Sequence, residues 1–194
     1  MKLQISLIVF MFLFNPVFAD TVYLDMKTGF SFPTLIGTFT YSENREYGDS
    51  RLGYGLNYWN KDGVLITVIV YNLGVSNIQN GIDGSHVLSQ YSQAQDDVIR
   101  AVKEGHYKSA TEILDLNSFS SEFLRVSYNI IRKDGSRARS HLFLRGQEGY
   151  FIKVRATAQS AETIDEEVIE FLDQLLIIIS SNKANPADAK KRRG

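Results

Sequence analysis

The chain has 194 residues, 44% of them hydrophobic and 22% charged, with no cysteine and a formal net charge of −1. This is ordinary globular composition and enough chain for one domain with a real core, which excludes a disordered polymer. The absence of cysteine excludes disulfides, thiolate metal sites, a cysteine nucleophile and a lipidated cysteine. The near-neutral charge argues against a general polyanion binder, so nucleic acid is not expected as a partner.

Residues 1–19, MKLQISLIVFMFLFNPVFA, read as a signal peptide: Lys2 is the positive region, residues 3–14 are apolar, and small residues stand at the cleavage positions before Asp20. The apolar run is short for a span of about 20 residues, and Asn15-Pro16 interrupts it. No transmembrane segment is expected once the leader is removed. Taking 19 residues from 194 leaves 175, and only Lys2 is lost among charged groups, so 20 basic and 22 acidic residues give a mature charge of −2. Export without cysteine points to a bacterial periplasmic or secreted protein.

In the mature chain, residues 21–24 could form an edge strand, and Gly29-Phe30-Ser31-Phe32-Pro33 is extended and stopped by proline. Residues 36–41 alternate weakly, as a strand does, and 43–51 are polar and loop-like, with a short strand possible around 45–47. Residues 52–73 predict a hairpin around Lys61-Asp62-Gly63. A three-residue loop pairs Tyr58 with Ile66, Leu56 with Val68 and Tyr54 with Val70 on one face, and Trp59 with Leu65 and Asn57 with Thr67 on the other. Residues 64–71, VLITVIVY, are apolar on both sides and predict a central strand with double cover. A loop over 72–84 leads to a helix over 86–104, with Asp83 or Ser85 as N-cap and Gly105 as its stop. Its buried stripe is Val87, Leu88, Tyr91, Ala94, Val98, Ile99 and Val102.

After a strand near 108–114, residues 122–158 predict a three-stranded meander. Its loops are Lys133-Asp134-Gly135 and Gln147-Glu148-Gly149, each taken as a three-residue loop ending in a left-handed glycine. That parity puts Leu124, Val126, Tyr128, Ile130, Ala138, Ser140, Leu142 and Leu144 on one face with Tyr150, Ile152, Val154 and Ala156. The other face then collects Arg125, Arg137, Arg139, His141, Phe143, Arg145, Lys153 and Arg155, with Phe143 between Arg125 and Lys153. The apolar face calls for helix cover and the charged face does not, so complete double cover is expected only over 64–71. A second helix follows, with a Thr163/Glu166 capping box, acids at 165–167 and a stripe of Ile164, Val168, Phe171, Leu172, Leu175, Leu176 and Ile179. Residues 181–194, ending Lys190-Lys191-Arg192-Arg193-Gly194, read as a disordered basic tail after a single domain over 20–180.

The fold class is therefore α+β, a mainly antiparallel sheet with two amphipathic helices. The Gly-Phe-Ser-Phe-Pro start, the long apolar strand, a helix ending in Gly105-His106-Tyr107, the meander and the final helix resemble the PsbP-like α/β/α sandwich superfamily. More narrowly, the chain is similar to small uncharacterised signal-peptide-bearing bacterial proteins, over roughly residues 26–180. The resemblance implies an accessory or binding role and brings no catalytic motif that maps onto this chain.

The candidate site is the basic face: Arg125, Arg139, His141, Arg145, Lys153 and Arg155, which could hold a phosphate, a carboxylate or an acidic partner. A solvated or acid-neutralised face explains the same residues without a ligand. His86, His106 and His141 show no metal-ligand spacing, so no metal or cofactor is expected. Asp96-Asp97 point apart on a helix, and Gly53-Tyr54-Gly55 lies in a strand, so neither is an acid/base dyad or a nucleotide loop. Tyr54, Tyr58, Trp59 and Tyr71 fit core packing better than a ligand groove. The leading expectation is an exported, non-catalytic binding or accessory protein using the basic sheet face or a groove beside the helices, with an unidentified protein or small anionic ligand as partner. The alternative is a hydrolase-type enzyme acting on an anionic substrate at the basic patch with His141, and a third is an envelope or virulence-associated factor engaging a partner protein.

Overall fold

The 52–73 hairpin forms as its turn chemistry dictates. In the computed structural model, which describes residues 21–25, 27–113, 122–158 and 165–181, β5 (Tyr54–Trp59) and β6 (Leu65–Tyr71) pair in the expected register. Tyr58 lies opposite Ile66, Leu56 opposite Val68, Tyr54 opposite Val70, and Trp59 opposite Leu65. Gly63 takes φ 75°, and the Asn60 side-chain oxygen accepts the amides of Asp62 and Val64 at 3.1 and 2.8 Å, which fixes the three-residue loop.

The hairpin sits inside an antiparallel eight-stranded sheet of order β3-β4-β5-β6-β10-β9-β8-β7. The remaining strands are β3 (Leu35–Ile36), β4 (Phe39–Glu46), β7 (Tyr107–Ile113), β8 (Leu124–Arg132), β9 (Arg137–Gln147) and β10 (Tyr150–Ala158). The extended lead-in forms a separate two-stranded sheet, β1 (Thr21–Leu24) with β2 (Ser31–Pro33). Two expectations are corrected in this half. A tight turn at Gly37 (φ 57°) breaks the 36–41 run into the β3-β4 hairpin, and the polar 43–46 stretch continues β4. Its polarity follows from its place near the sheet edge, where its side chains stay exposed.

The first meander loop behaves like the hairpin loop. Gly135 takes φ 90° and its amide reaches the Arg132 carbonyl at 3.0 Å, so Ile130 lies opposite Ala138. The second loop does not. Tyr150 pairs with Gln147, and both Glu148 (φ 50°) and Gly149 (φ 80°) are left-handed, which is a two-residue type I′ turn. One residue fewer in the loop reverses the parity of β10 against the other two strands. Ile152, Val154 and Ala156 therefore lie opposite Arg145, Phe143 and His141, while Lys153 and Arg155 lie opposite Leu144 and Leu142.

Among the described residues each sheet face carries one helix. α2 (Asp165–Ser181) buries Val168, Phe171, Leu172, Leu175 and Ile179 against Leu56, Tyr58, Ile66, Val68 and Val154, with the Phe171 ring edge-on to Tyr58 at 5.5 Å. Each of these five side chains contributes about 1.5–3 kcal/mol by its burial. Leu176 is only half-buried. Thr163 and Ile164, the leader at 1–19 and the tail from 182 onward lie outside the described residues.

α1 (Ser85–Lys103) covers the opposite face over the meander, where Ala94, Val126, Tyr128, Ile130, Ala138 and Leu142 pack together. It ends in a Schellman turn, with the Gly105 amide on the Val102 carbonyl and the His106 amide on that of Ala101. Gly84 is its N-cap and makes no side-chain cap, in place of the expected Asp83 or Ser85. The stripe is narrower than its sequence pattern: Val87 and Ala94 are buried, Tyr91 and Val98 half-buried, and Leu88 and Ile99 point to solvent. Leu88 and Ile99 each follow a stripe residue by one position, about 100° around the helix. Because α1 lies over the meander, the β6 side chains Leu65, Thr67 and Ile69 on that face are half-buried, and complete double cover of 64–71 does not occur.

Candidate functional site

The six basic residues do not share a face. Arg125, Arg139, His141 and Arg145 project toward the α2 side, and Lys153 and Arg155 toward the α1 side. Phe143 stands between Arg125 and Val154, not between Arg125 and Lys153, and His141 stands between Ser127 and Ala156. The expected single basic patch is thereby corrected, and its cause is the Glu148-Gly149 turn.

On the α2 side the cations serve the structure. Arg145 is buried, and its guanidinium donates to the Glu122 carbonyl and carboxylate at 3.3 and 3.4 Å and to the Gln147 side chain at 3.2 Å. It also lies over the Phe123 ring. Burial pulls its pKa down, and the Glu122 carboxylate opposes that shift. His141 is fully buried, with Nδ1 2.8 Å from the Ser127 hydroxyl and its ring stacked on Phe143. Arg139 and Arg125 are half-buried, and the Arg125 carbonyl accepts the Tyr91 hydroxyl of α1.

On the α1 side Lys153 and Arg155 line a groove between the helix and the sheet. One compartment, of about 270 Å³, is walled by Ala94, Val98 and Ala101 of α1 and by Thr67, Ile69, Ile130, Leu142 and Tyr128 of the sheet. A second, of about 250 Å³, continues past Ile69, Asp97 and Lys153 to Leu52, Tyr71 and Leu73. Arg155 is held by neutral groups: its Nε donates to the Ser140 hydroxyl at 3.2 Å and its Nη2 to the Tyr107 hydroxyl at 2.8 Å. Lys153 has its ammonium 5.4 Å from the centre of the Tyr71 ring. Among the described residues neither cation forms an ion pair, and Lys153 donates no hydrogen bond. Burial pushes the Lys153 pKa down; Asp97 opposes this and Arg155 adds to it. The two cations share the groove with the Asp97 carboxylate and with the hydroxyls of Thr67, Tyr107, Tyr128 and Ser140, and an anion paired with them would offset the cost of their partial burial.

The sequence carried one signal for this groove, the alternation of Lys153 and Arg155 with Ile152 and Val154 inside a strand. The helix-side wall had none, because Asp97 and Val98 reach the site only through the placement of α1. Of the remaining candidates, His86 is exposed and the exposed His106 faces Glu104 at 3.4 Å. Asp97 pairs with Arg100, and among the described residues no cluster of His, Asp and Glu could hold a metal ion. Tyr54 and Tyr58 are in the core, Tyr71 lines the groove, and Trp59 is half-exposed on the α1 side. Among the described residues no helix is long and apolar enough to cross a membrane. The chain matches no protein-family model, no curated protein and no solved structure.

Proposed function

We propose that the chain is an exported, non-catalytic binding or accessory protein of PsbP-like type, acting in the periplasm or outside the cell, and that it holds a small anionic ligand in the groove beside α1. The observation that supports this is the pair Lys153 and Arg155, side by side on one face of β10 and opening on a cavity where, among the described residues, neither forms an ion pair, although the Asp97 carboxylate also lines it. The hydrolase reading at His141 has less support. Its histidine is fully buried against Ser127, and two of the cations it needs lie across the sheet. The test is an NMR titration of the mature chain with benzoate. Shifts at Ile69, Lys153 and Arg155 are expected; shifts confined to Ser127, Arg139 and His141, or none at all, would reject the groove.

A further inference from the structure

The groove changes character along its length. At one end Arg155 stands among the hydroxyls of Ser140, Thr67 and Tyr107. At the other the lining turns to Leu52, Tyr71 and Leu73, with Tyr47, Gln90 and Gln93 beside them. Lys153, Asp97 and Ile69 belong to both compartments and join them. Arg155 pairs with Thr67 and Phe151 with Tyr71, so the two ends are four strand residues apart, about 13 Å.

We infer that the groove takes an amphipathic monocarboxylate, with the carboxylate between Lys153 and Arg155 and an extended apolar body lying along α1 toward Leu52 and Leu73. This rests on the groove being the binding site proposed above. The head group is set by donors: Ser140 and Tyr107 occupy Nε and Nη2 of Arg155, and among the described residues Nη1 carries no bond and the Lys153 ammonium, over the Tyr71 ring, donates no hydrogen bond. A charge-assisted bond to a carboxylate suits both. One negative group is the limit, because Asp97 on the rim repels a second. The body is set by the walls. Each compartment has the volume of about eight or nine waters at ~30 Å³ each, and its exposed lining is more apolar than polar despite Gln90 and Gln93, so burying an apolar chain there is favourable.

The experiment is calorimetry on the mature chain with octanoate, acetate and 1-octanol, accompanied by NMR shifts. Octanoate is expected to bind at least about tenfold more tightly than either of the others, since it alone offers both parts. Arg155→Gln should cost about tenfold, and Asp97→Asn, on an exposed helix position that leaves the fold alone, should tighten octanoate severalfold. Octanol binding as well as octanoate would remove the anion from the proposal. Acetate binding as well as octanoate, with shifts at Ile69 and Lys153, would overturn the amphiphile while keeping an anion-binding groove. An affinity unchanged by Asp97→Asn would overturn the placement of the head group. No groove shift with any of the three would overturn both the ligand class and the groove.

Discussion

Tyr150 stands directly opposite Gln147, and that pairing leaves two residues, Glu148 and Gly149, to turn the chain from β9 into β10. Both have positive φ, at 50° and 80°. Glycine takes this conformation freely, but glutamate carries the strain of its Cβ, and its direct contacts with Asn80 are exposed. Glu148→Asn is therefore expected to stabilise the protein by roughly 0.5 kcal/mol, because Asn-Gly is a preferred type I′ pair. Gly149→Ala should cost about 1–2 kcal/mol from backbone strain alone, since no atom lies within 4 Å of the added methyl. Urea denaturation checks both; a neutral Gly149→Ala would contradict the turn.

The same turn marks the limit of what the sequence could disclose. The Lys133-Asp134-Gly135 loop also admits a two-residue Asp-Gly turn, but that turn would set Arg137 and Arg139 among Ile130 and Tyr128, so parity decides it from the sequence. Gln147-Glu148-Gly149 admits two solutions as well. A three-residue loop needs only Gly149 left-handed, whereas the two-residue loop also needs Glu148 there, which local propensity disfavours. Tertiary packing decides it. With the observed parity Ile152, Val154 and Ala156 join the α2 core, where all three are fully buried. With the other they would leave that core and Lys153 and Arg155 would enter it. The cost of two cations in a core exceeds the strain in one glutamate. The composition of β6 offered the deciding constraint, since Ile66, Val68 and Val70 need apolar neighbours on β10, but β6 and β10 are distant in sequence.

Lys153 is expected to weaken the fold that carries it. Lys153→Met keeps the stem and removes the charge, and should raise stability at neutral pH by about 1 kcal/mol, a figure discounted because the side chain is only half-buried. The folded-state pKa is depressed, so between that value and the unfolded value of about 10.4 the unfolded chain binds more protons. Stability from this group therefore rises with pH across that window, and the penalty is fully present below it. The gap between variant and wild type should narrow as the pH is raised from about 7 to 10. Paired urea curves read the difference directly and cancel the buried tyrosines, which titrate alike in both chains. A gap that stays constant would mean that charge is not the cause.

Gly146 is required by a close backbone approach. It exchanges two hydrogen bonds with Gly81, at 2.8 and 3.0 Å, and a Cβ there would lie 1.9 Å from the Gln79 carbonyl oxygen. This contact ties the loop leading into α1 to β9. Gly146→Ala should cost about 3 kcal/mol, because rigid backbone must move and not a flexible side chain. Amide exchange at Ile78 and Gly81 is expected to accelerate more than exchange in β6. Uniform acceleration through the sheet would instead point to loss of the whole fold.

Ser127 and His141 separate structure from binding. Both are buried, and the hydroxyl lies 2.8 Å from Nδ1. Removing the hydroxyl in Ser127→Ala takes a buried polar bond away without adding a group that could replace it, and should cost about 1–3 kcal/mol. The pair projects to the α2 side, whereas Lys153 and Arg155 open on the α1 side of the same sheet. The variant should therefore melt earlier yet bind octanoate with wild-type affinity at a temperature where it is folded. Melting curves and calorimetry on one preparation give both numbers. A loss of affinity equal to that of Arg155→Gln would show that the sheet transmits the change from one face to the other, and would return His141 to the binding site from which its geometry now separates it.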